Sequence, residues 1–332
     1  MKKITLFLAI CLMLSCFSGC AKSNSFSENF FFMDTVIGIT LYTDEAALAE
    51  NAFDECRAIL SELDTLWARQ KPDSDIARWN ASSDGNVSLD FRTRELIRTA
   101  LEVSRDTGAA FDVTVAPLVD LWQTCGERDQ LPTEAELSEV LAQIGYDKIA
   151  WSGECVSKTD PQVAIDLGGI GKGAATDALL AYLTSLRLDG GLVTFGSNVA
   201  VFGKKPDESP YRIALRHPRE NGASLGTLLL PAGQVLSVSG DYERYVTIDG
   251  ENYHHILDLD SGYPADTGLA SVAVVAADGV LADALSTALL VMGKDRALDF
   301  YRTGIYDFEV ILTETDGTLT VTDGISDLFI TN

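Results

Sequence analysis

The chain has 332 residues and a formal net charge of −24 at pH 7, because 49 Asp and Glu residues face only 25 Lys and Arg residues. An acidic surface of this kind repels phosphate backbones, which excludes a general nucleic-acid-binding protein, so any phosphate ligand must meet locally placed cations or a metal ion. After residue 20 the remaining cysteines are scattered, which predicts neither a disulfide framework nor a zinc site: Cys56, Cys125 and Cys155.

The start of the chain has the features of an export signal. A basic first segment is followed by an apolar run over residues 4–14, which is too short to span a bilayer. Gly19-Cys20 resembles a bacterial lipoprotein box, so we expect a signal peptide over residues 1–19 and a lipid on Cys20. Lipidation at Cys16, or simple cleavage to an unanchored product, are the alternatives.

The polar stretch that follows predicts a flexible tether over residues 20–29, which would hold the rest of the chain away from the membrane. Together these segments predict a lipid-anchored protein on the extracytoplasmic face of a bacterial cell membrane.

Helical patterns occupy much of the first half of the chain. Apolar residues recur at helical spacing over residues 44–67, and a second helix is predicted over residues 93–106. Thr133 and Glu136 form a capping box that predicts the start of a third helix, with Gly145 as its end.

A glycine-rich segment, Asp166-Leu-Gly-Gly-Ile-Gly-Lys-Gly173, lies between a predicted buried strand (163–165) and a predicted helix (174–186). A Walker A motif would need four residues between its glycines and Ser or Thr after the Lys, which excludes a nucleoside triphosphatase of that type. Glycines let the backbone approach a phosphate, while the next helix offers its N-terminal amides and Lys172 offers a charge. A plain glycine turn is the alternative.

From residue 192 onward, short β-rich runs alternate with Gly, Pro and Asp turns. Asp249-Gly250 and Asp316-Gly317 are typical of hairpin turns. No regular βαβ alternation supports a Rossmann fold, so we predict an α+β fold with a largely antiparallel sheet. The runs are 192–195, 199–202, 211–215, 234–238 and 244–248.

The segment 281–290 reads as an apolar helix that carries Asp283 and Thr287 four residues apart. Residues at this spacing lie on one face, so the carboxylate and the hydroxyl point the same way. Oxygen ligands of this kind suit Mg²⁺, which usually leaves other positions to water and phosphates. A capping role for Asp283 is the alternative.

Seven stretches together resemble one family, the ApbE family of FAD:protein FMN transferases, in the family's order and over nearly all of the chain after the signal. They are Met33-Asp-Thr35; Pro72-Asp-Ser-Asp-Ile-Ala-Arg-Trp-Asn80; Thr107-Gly-Ala-Ala-Phe-Asp-Val-Thr-Val-Ala-Pro-Leu118 with Leu121-Trp122; Asp166 to Gly173; Ser239-Gly-Asp-Tyr-Glu-Arg244; His254-His-Ile-Leu-Asp258 with Gly262-Tyr-Pro264; and Ala282-Asp283 with Thr287.

The resemblance implies a single T-fold-like domain over residues 30–332, with largely antiparallel sheets and flanking helices. It also implies Mg²⁺ as the metal ion and FAD as the substrate. A Thr or Ser hydroxyl of an exported acceptor protein would attack the flavin-side phosphorus of FAD, which would leave FMN in a phosphoester bond and release AMP. Such a step needs charge neutralisation on the pyrophosphate, an aligned hydroxyl and a base.

The resemblance also implies roles for individual residues. The side chains of Asp283 and Thr287 would bind Mg²⁺ with the carbonyl of Gly169 and a group at Ser286. The FAD site would include Met33, Gln70, Ala110, Phe111, Asp112, Asp166, Lys172 and Leu257. Because imidazole titrates near neutral pH, His255 is the candidate base, and Asp258 is the second. A histidine that only binds phosphate or packs beside the site is an equal alternative.

Three positions depart from the family pattern. Asp34 stands where glycine is usual, Gln70 where an aromatic residue often stacks on adenine, and Ser286 where an acid is common. A polar Gln70 would admit water, so Mg²⁺-dependent hydrolysis of FAD to FMN and AMP is one alternative function. A non-catalytic FAD-binding lipoprotein is another, although binding alone needs no metal-bound pyrophosphate. Loss of an acid at Ser286 predicts weaker Mg²⁺ binding.

Overall fold

The computed structural model describes residues 24–332, so the predicted signal peptide and Cys20 lie outside the described residues. Within this range, local sequence signals set most helix boundaries. Both halves of the capping box at Thr133 and Glu136 are formed. The helices are α1 (Ala46–Trp67), α2 (Asp75–Ala81), α3 (Phe91–Asp106), α4 (Ala116–Arg128), α5 (Glu134–Leu141), α6 (Gly171–Ser185), α7 (Gly279–Thr303, kinked at Gly293) and α8 (Asp323–Ser326), with 3₁₀ turns at Val113–Val115 and Tyr146–Lys148.

An eight-stranded antiparallel sheet forms the centre of the described residues, with the strand order β1-β2-β5-β6-β9-β12-β13-β14. A three-stranded sheet (β15-β8-β7) and two hairpins (β3-β4 and β10-β11) complete the strands. The strands are β1 (Asn24–Phe32), β2 (Thr35–Thr43), β3 (Ile149–Ser152), β4 (Cys155–Lys158), β5 (Gly190–Phe195), β6 (Asn198–Gly203), β7 (Tyr211–Arg216), β8 (Ser224–Leu230), β9 (Val235–Gly240), β10 (Tyr245–Ile248), β11 (Glu251–His254), β12 (Leu269–Ala276), β13 (Glu309–Glu314), β14 (Leu319–Val321) and β15 (Phe329–Thr331).

Two cores lie on opposite faces of the large sheet. The first contains buried side chains of the sheet together with those of α1, α6 and α7. The second lies between the other face and the three-stranded sheet, and neighbouring residues of β9 divide between the two: Val235 joins the first core and Leu236 the second. This division follows from the alternation of side chains along a strand. The predicted α+β fold with a largely antiparallel sheet is confirmed.

Helix α7 packs against β9 and β12 and beside α6, which places Asp283 and Thr287 over the middle of the sheet. The N-termini of α6 and α7 approach closely. The carboxylate of Asp177 in α6 accepts hydrogen bonds from the amides of Gly279 (2.9 Å) and Val280 (3.0 Å), the first residues of α7. The two helix starts are therefore fixed relative to each other.

Three sequence predictions of local structure are wrong. Residues 24–29, assigned to the flexible tether, form the first part of β1, because they pair along β2 from Asn24 onward. Residues 163–165 are not a strand: the side chain of Asn80 binds both backbone groups of Ile165 (2.7 and 2.9 Å) in place of a neighbouring strand. Helix α5 ends at Leu141 rather than at Gly145.

Among residues 24–332, no helix combines the length and the apolar character needed to cross a membrane.

Candidate active site

A cavity of about 440 Å³ opens where the glycine-rich segment, the first half of α7 and the end of β9 meet. This volume lies within the range of ligand sites, and both polar and apolar groups contribute to the wall. Of the residues predicted for the site, ten line it: Ala110, Phe111, Asp112, Asp166, Gly169, Lys172, His255, Leu257, Asp283 and Thr287.

The carboxylate of Asp283 is buried and has three polar neighbours. One oxygen accepts a hydrogen bond from the amide of Gly173 in the first turn of α6 (2.8 Å). The other lies 3.3 Å from Lys172 Nζ and accepts from the hydroxyl of Ser237 at 3.3 Å. The capping alternative is thus partly realised, since Asp283 caps α6 while Asp278 caps α7. The same carboxylate lines the cavity.

Oxygen donors that suit a hard cation converge beside Asp283. Thr287 also lines the cavity, and a β-carbon placed on Gly169 would lie 3.9 Å from Thr287 Oγ1, so the backbone at Gly169 approaches that hydroxyl closely. A carboxylate, a hydroxyl and a carbonyl are the ligand types that Mg²⁺ accepts when it keeps water and phosphate ligands. Within the described residues no group of three or more His, Cys, Asp or Glu side chains is placed to hold a metal ion, and Asp283 is the carboxylate among the three donors named here.

Ser286 does not belong to the cavity wall. Its side chain is fully buried, and its hydroxyl lies 2.9 Å from the carbonyl of Asp283 and 2.8 Å from the hydroxyl of Ser239. Successive helical residues turn by about 100°, so Ser286 points towards the sheet while Thr287 points into the cavity. Ser239 Oγ also lies 3.2 Å from Thr287 Oγ1, which connects Ser286 to the cavity through one hydroxyl.

The predicted acidic residues of the FAD site are already engaged by the protein. Asp112 accepts hydrogen bonds from the amide and hydroxyl of Thr114 and from the amide of Tyr146 (2.7–2.8 Å). Burial raises the pKa of the Asp112 carboxyl, and these hydrogen bonds oppose that rise. Asp166 accepts from the amide of Gly168 (2.7 Å). Both carboxylates therefore shape the loops that form the wall.

His255 follows the last residue of β11, and its ring faces the cavity. Its Nδ1 lies 3.1 Å from the carbonyl of Arg244. Although His255 is exposed at the cavity surface, the nearby protein lowers the pKa of its imidazole to about 4, chiefly because it displaces water that would stabilise the charged imidazolium. The imidazole is therefore neutral at physiological pH.

Asp258, the second candidate base, is not part of the cavity wall. Its carboxylate accepts from the amide of Asp260 (3.1 Å) and the hydroxyl of Ser261 (3.0 Å), which fixes a tight turn.

Met33 and Gln70 also fall outside the residues that line the cavity. Met33 lies in the β1–β2 turn with a φ of 50°, and its amide donates to Asp64 at 3.3 Å. Asp34 adopts the left-handed conformation as well, with a φ of 54°. Asp tolerates that region better than most residues, although glycine is the residue with no steric cost there. Gln70 is exposed to solvent just after α1.

Several polar residues of the site were given no role from the sequence. Thr35, Ser197, Ser239, Glu243 and Arg244 line the cavity, and Arg69 contacts Asp166 of its wall. The guanidinium of Arg69 makes ion pairs of 2.7 Å with Asp120 and with Asp166. Thr35, Glu243 and Arg244 lie inside stretches that carry the family resemblance, whereas nothing in the sequence around Arg69 marks it.

Comparisons with known proteins identify the family of the chain. The family model described as the ApbE family matches residues 33–312. A protein named FAD:protein FMN transferase from Haemophilus influenzae is 32% identical over 272 residues, which cover 78% of this chain and 78% of the relative. A protein of the same name from Vibrio cholerae is 30% identical over 289 residues, which cover 85% of this chain and 86% of the relative.

Solved structures of the same family share the fold. The ApbE protein of Thermotoga maritima superposes with a TM-score of 0.82 at 30% identity, over 92% of this chain and 99% of that chain. The flavinyl transferase ApbE of Pseudomonas stutzeri gives 0.80 at 29% identity, over 92% and 97%. The prediction of an ApbE-type fold is thereby confirmed.

Proposed function

The chain belongs to the ApbE family, and we propose that it transfers FMN from FAD to a Thr or Ser hydroxyl of exported acceptor proteins, releases AMP and requires Mg²⁺. The observation that carries this proposal is the cluster at one end of the cavity. There the Asp283 carboxylate, the Lys172 ammonium and the first amides of α6 lie within one hydrogen-bonded group. Such a group suits a pyrophosphate with a bound cation.

The residues of the chain divide the work of the reaction. Lys172 and the N-terminus of α6 stabilise negative charge on the phosphates, and Asp283, Thr287 and Gly169 would hold Mg²⁺, which supplies further charge neutralisation when bound. Phe111 and Leu257 offer apolar surface to the rings of FAD.

The bond changes follow from that arrangement. The acceptor oxygen forms a bond to the flavin-side phosphorus, and the bond from that phosphorus to the bridging oxygen breaks. AMP leaves with the bridging oxygen. His255, whose ring faces the cavity, accepts the proton of the hydroxyl.

Incubation with FAD, Mg²⁺ and a threonine-containing peptide tests the proposal. A fluorescent peptide means transfer, free FMN and AMP without labelled peptide mean hydrolysis, and unchanged FAD means binding only. Hydrolysis was an alternative because a polar Gln70 beside the adenine of FAD would admit water. Gln70 lies outside the cavity wall, so its position does not support that alternative. We expect transfer.

Two variants of α7 separate the metal site from helix stability. Asp283→Ala should lower the rate at least about 100-fold, since one stabilising group at a reacting centre is typically worth that much. Asp278→Ala removes the N-cap of the same helix, whose carboxylate binds the amide of Leu281 (3.0 Å), and should keep the rate within about twofold. An Asp283→Ala variant with the original rate would falsify the metal assignment.

We also propose that Cys20 carries a lipid that anchors the protein outside the cytoplasmic membrane, on the basis of the export signal in the sequence. Fractionation of cells that express a Cys20→Ser variant tests this. The variant should leave the membrane fraction, and its retention there would contradict the assignment.

A further inference from the structure

A second cavity, of about 330 Å³, lies between the large sheet and the three-stranded sheet. We call it the β7 groove. One side is formed by four consecutive residues of β7, from Ile213 to Arg216. The floor comes from the large sheet and is mainly apolar (Val199, Leu236, Val238 and Ala273), with two hydroxyl residues, Ser271 and Thr313.

The groove runs along the free edge of β7. The register shifts between Leu215 and Arg216, so regular alternation applies to residues 213–215. Side chains of a strand alternate between its two faces, and these three consecutive residues line one cavity because the strand presents its edge. β7 is the terminal strand of its sheet, and no other strand among residues 24–332 pairs with that edge. Backbone groups that point away from β8 are therefore directed at the groove.

The register identifies those backbone groups. The amide of Leu229 in β8 donates to Leu328, so the odd-numbered residues of β8 face β15 and the even-numbered ones face β7. Leu228 and Leu230 are opposite Ile213 and Tyr211. The N–H and C=O groups of the alternate residue Ala214 consequently point to the free edge.

The β7 groove joins the first cavity beside Lys172. Gly196, Ser197, Val238 and Glu243 line both cavities. A β-carbon on Gly196 would lie 3.8 Å from Lys172 Cδ and 3.2 Å from Thr35 Oγ1, so the junction is beside the lysine that faces Asp283.

We propose that an extended segment of the acceptor polypeptide binds in the β7 groove as an added strand on the free edge of β7, with its hydroxyl residue at the Gly196–Ser197 junction. The inference rests on the proposed transfer of FMN to a protein, which requires a second substrate at the pyrophosphate. Main-chain pairing gives affinity that depends little on side chains, and the apolar floor accepts small apolar side chains on one face of the segment. A continuous opening from the edge to Lys172 is what such a substrate needs.

The test uses Ala214→Pro. Proline removes the outward N–H of Ala214 and is tolerated on an edge strand, where that N–H has no partner in β8. Synthetic peptides of about 12 residues with one central threonine are screened with the wild-type protein, FAD and Mg²⁺, and the peptide that is labelled fastest is used. We expect kcat/KM for this peptide to fall at least about tenfold, since an added strand loses a hydrogen bond and meets the proline ring.

The matched control is Ala214→Val, which keeps the N–H and suits a strand. It should stay within about threefold of the wild-type protein, and both variants should bind FAD in EDTA with unchanged affinity. Hydrogen exchange on the wild-type protein provides a measurement that needs no variant. With FAD, EDTA and excess peptide, the amide of Ala214 should exchange at least about tenfold more slowly.

The two proposals fail in different ways. If the wild-type protein labels no peptide, the proposed transfer fails and the groove assignment falls with it. If the wild-type protein labels a peptide while Ala214→Pro keeps the same kcat/KM, or while the β7 amides gain no protection, the groove assignment alone is overturned.

Discussion

Replacement of Gly173 by alanine should disrupt the contact between α6 and α7 that positions Asp283. A β-carbon at Gly173 would lie 2.1 Å from the carbonyl oxygen of Gly279 and 2.8 Å from Cβ of Asp283. Both neighbours are backbone or the first carbon of a buried side chain, so neither can rotate away. The helices must separate, and separation weakens the 2.8 Å hydrogen bond from Gly173 N to Asp283.

The magnitude follows from three terms. Overpacking in a well-packed interior costs about 1–3 kcal/mol. Loss of a hydrogen bond to a charged group costs about 1.5–3 kcal/mol. Alanine in a helix recovers up to about 1 kcal/mol relative to glycine. The free energy of unfolding should therefore fall by about 3 kcal/mol, which corresponds to roughly 5–10 °C in the melting temperature of a domain of this size.

Gly171→Ala is the matched control. It lies two residues earlier in the same helix, and a β-carbon at this position would have its nearest neighbours, in Leu167 and Trp67, at 4.0 Å, an ordinary contact. This variant should be neutral or more stable by about 0.4–1 kcal/mol. Urea unfolding in EDTA measures both changes, and labelling of the peptide measures the effect on the site. A Gly173→Ala protein within about 0.5 kcal/mol of the wild type would show that the helix contact does not hold Asp283 in place.

Three further variants test separate groups. His255→Gln should lower kcat for peptide labelling about 10²–10⁴-fold, and a kcat within tenfold of the wild type would exclude His255 as the base. Because the pKa of His255 is about 4, the wild-type rate of peptide labelling should show no titration of this group between pH 5.5 and 7.5. Burial raises the pKa of Asp177 to about 7, so its contribution to stability is complete below its unfolded value near 3.8 and is lost as the pH rises through 7. The free energy of unfolding of the wild-type protein, relative to that of Asp177→Asn, should accordingly decline over that range, and equal slopes in the two proteins would contradict this account. Ser286→Asp places a second carboxylate in a fully buried position that points towards the sheet, so it should lower the melting temperature in EDTA; an unchanged melting temperature would argue against the buried position.

Local chemistry explains what the sequence predicted well. The capping box at Thr133 involves residues three apart, and the Asp249-Gly250 turn joins β10 to β11 with positive φ at both residues. Such features form from neighbouring residues with little help from the rest of the chain. The spacing of Asp283 and Thr287 is equally local, because any helix over this segment places them on one side.

Predictions failed where distant segments decide the outcome. Asn80 replaces the strand neighbour expected for residues 163–165, and the contact spans 85 residues. Arg69 reaches Asp166 only in the folded chain. Composition and spacing contain no information on these encounters.

The strong net negative charge makes the arrangement around Asp283 necessary. A phosphate that approaches this chain meets a repulsive surface, so attraction must come from the cations of the cavity, Lys172 and Arg244, and from the first turn of α6. Asp283 occupies Lys172 and the first turn of α6, through a 3.3 Å approach to Lys172 and a hydrogen bond from Gly173. A cation that neutralises Asp283 would leave Lys172 available to the pyrophosphate. We therefore expect FAD to bind more weakly in EDTA than in Mg²⁺, and expect Asp283→Ala to reduce that difference, because removal of the carboxylate also releases Lys172. Titration of flavin fluorescence under both conditions measures the difference, and an unchanged ratio of dissociation constants in the variant would show that Asp283 does not couple the cation to FAD.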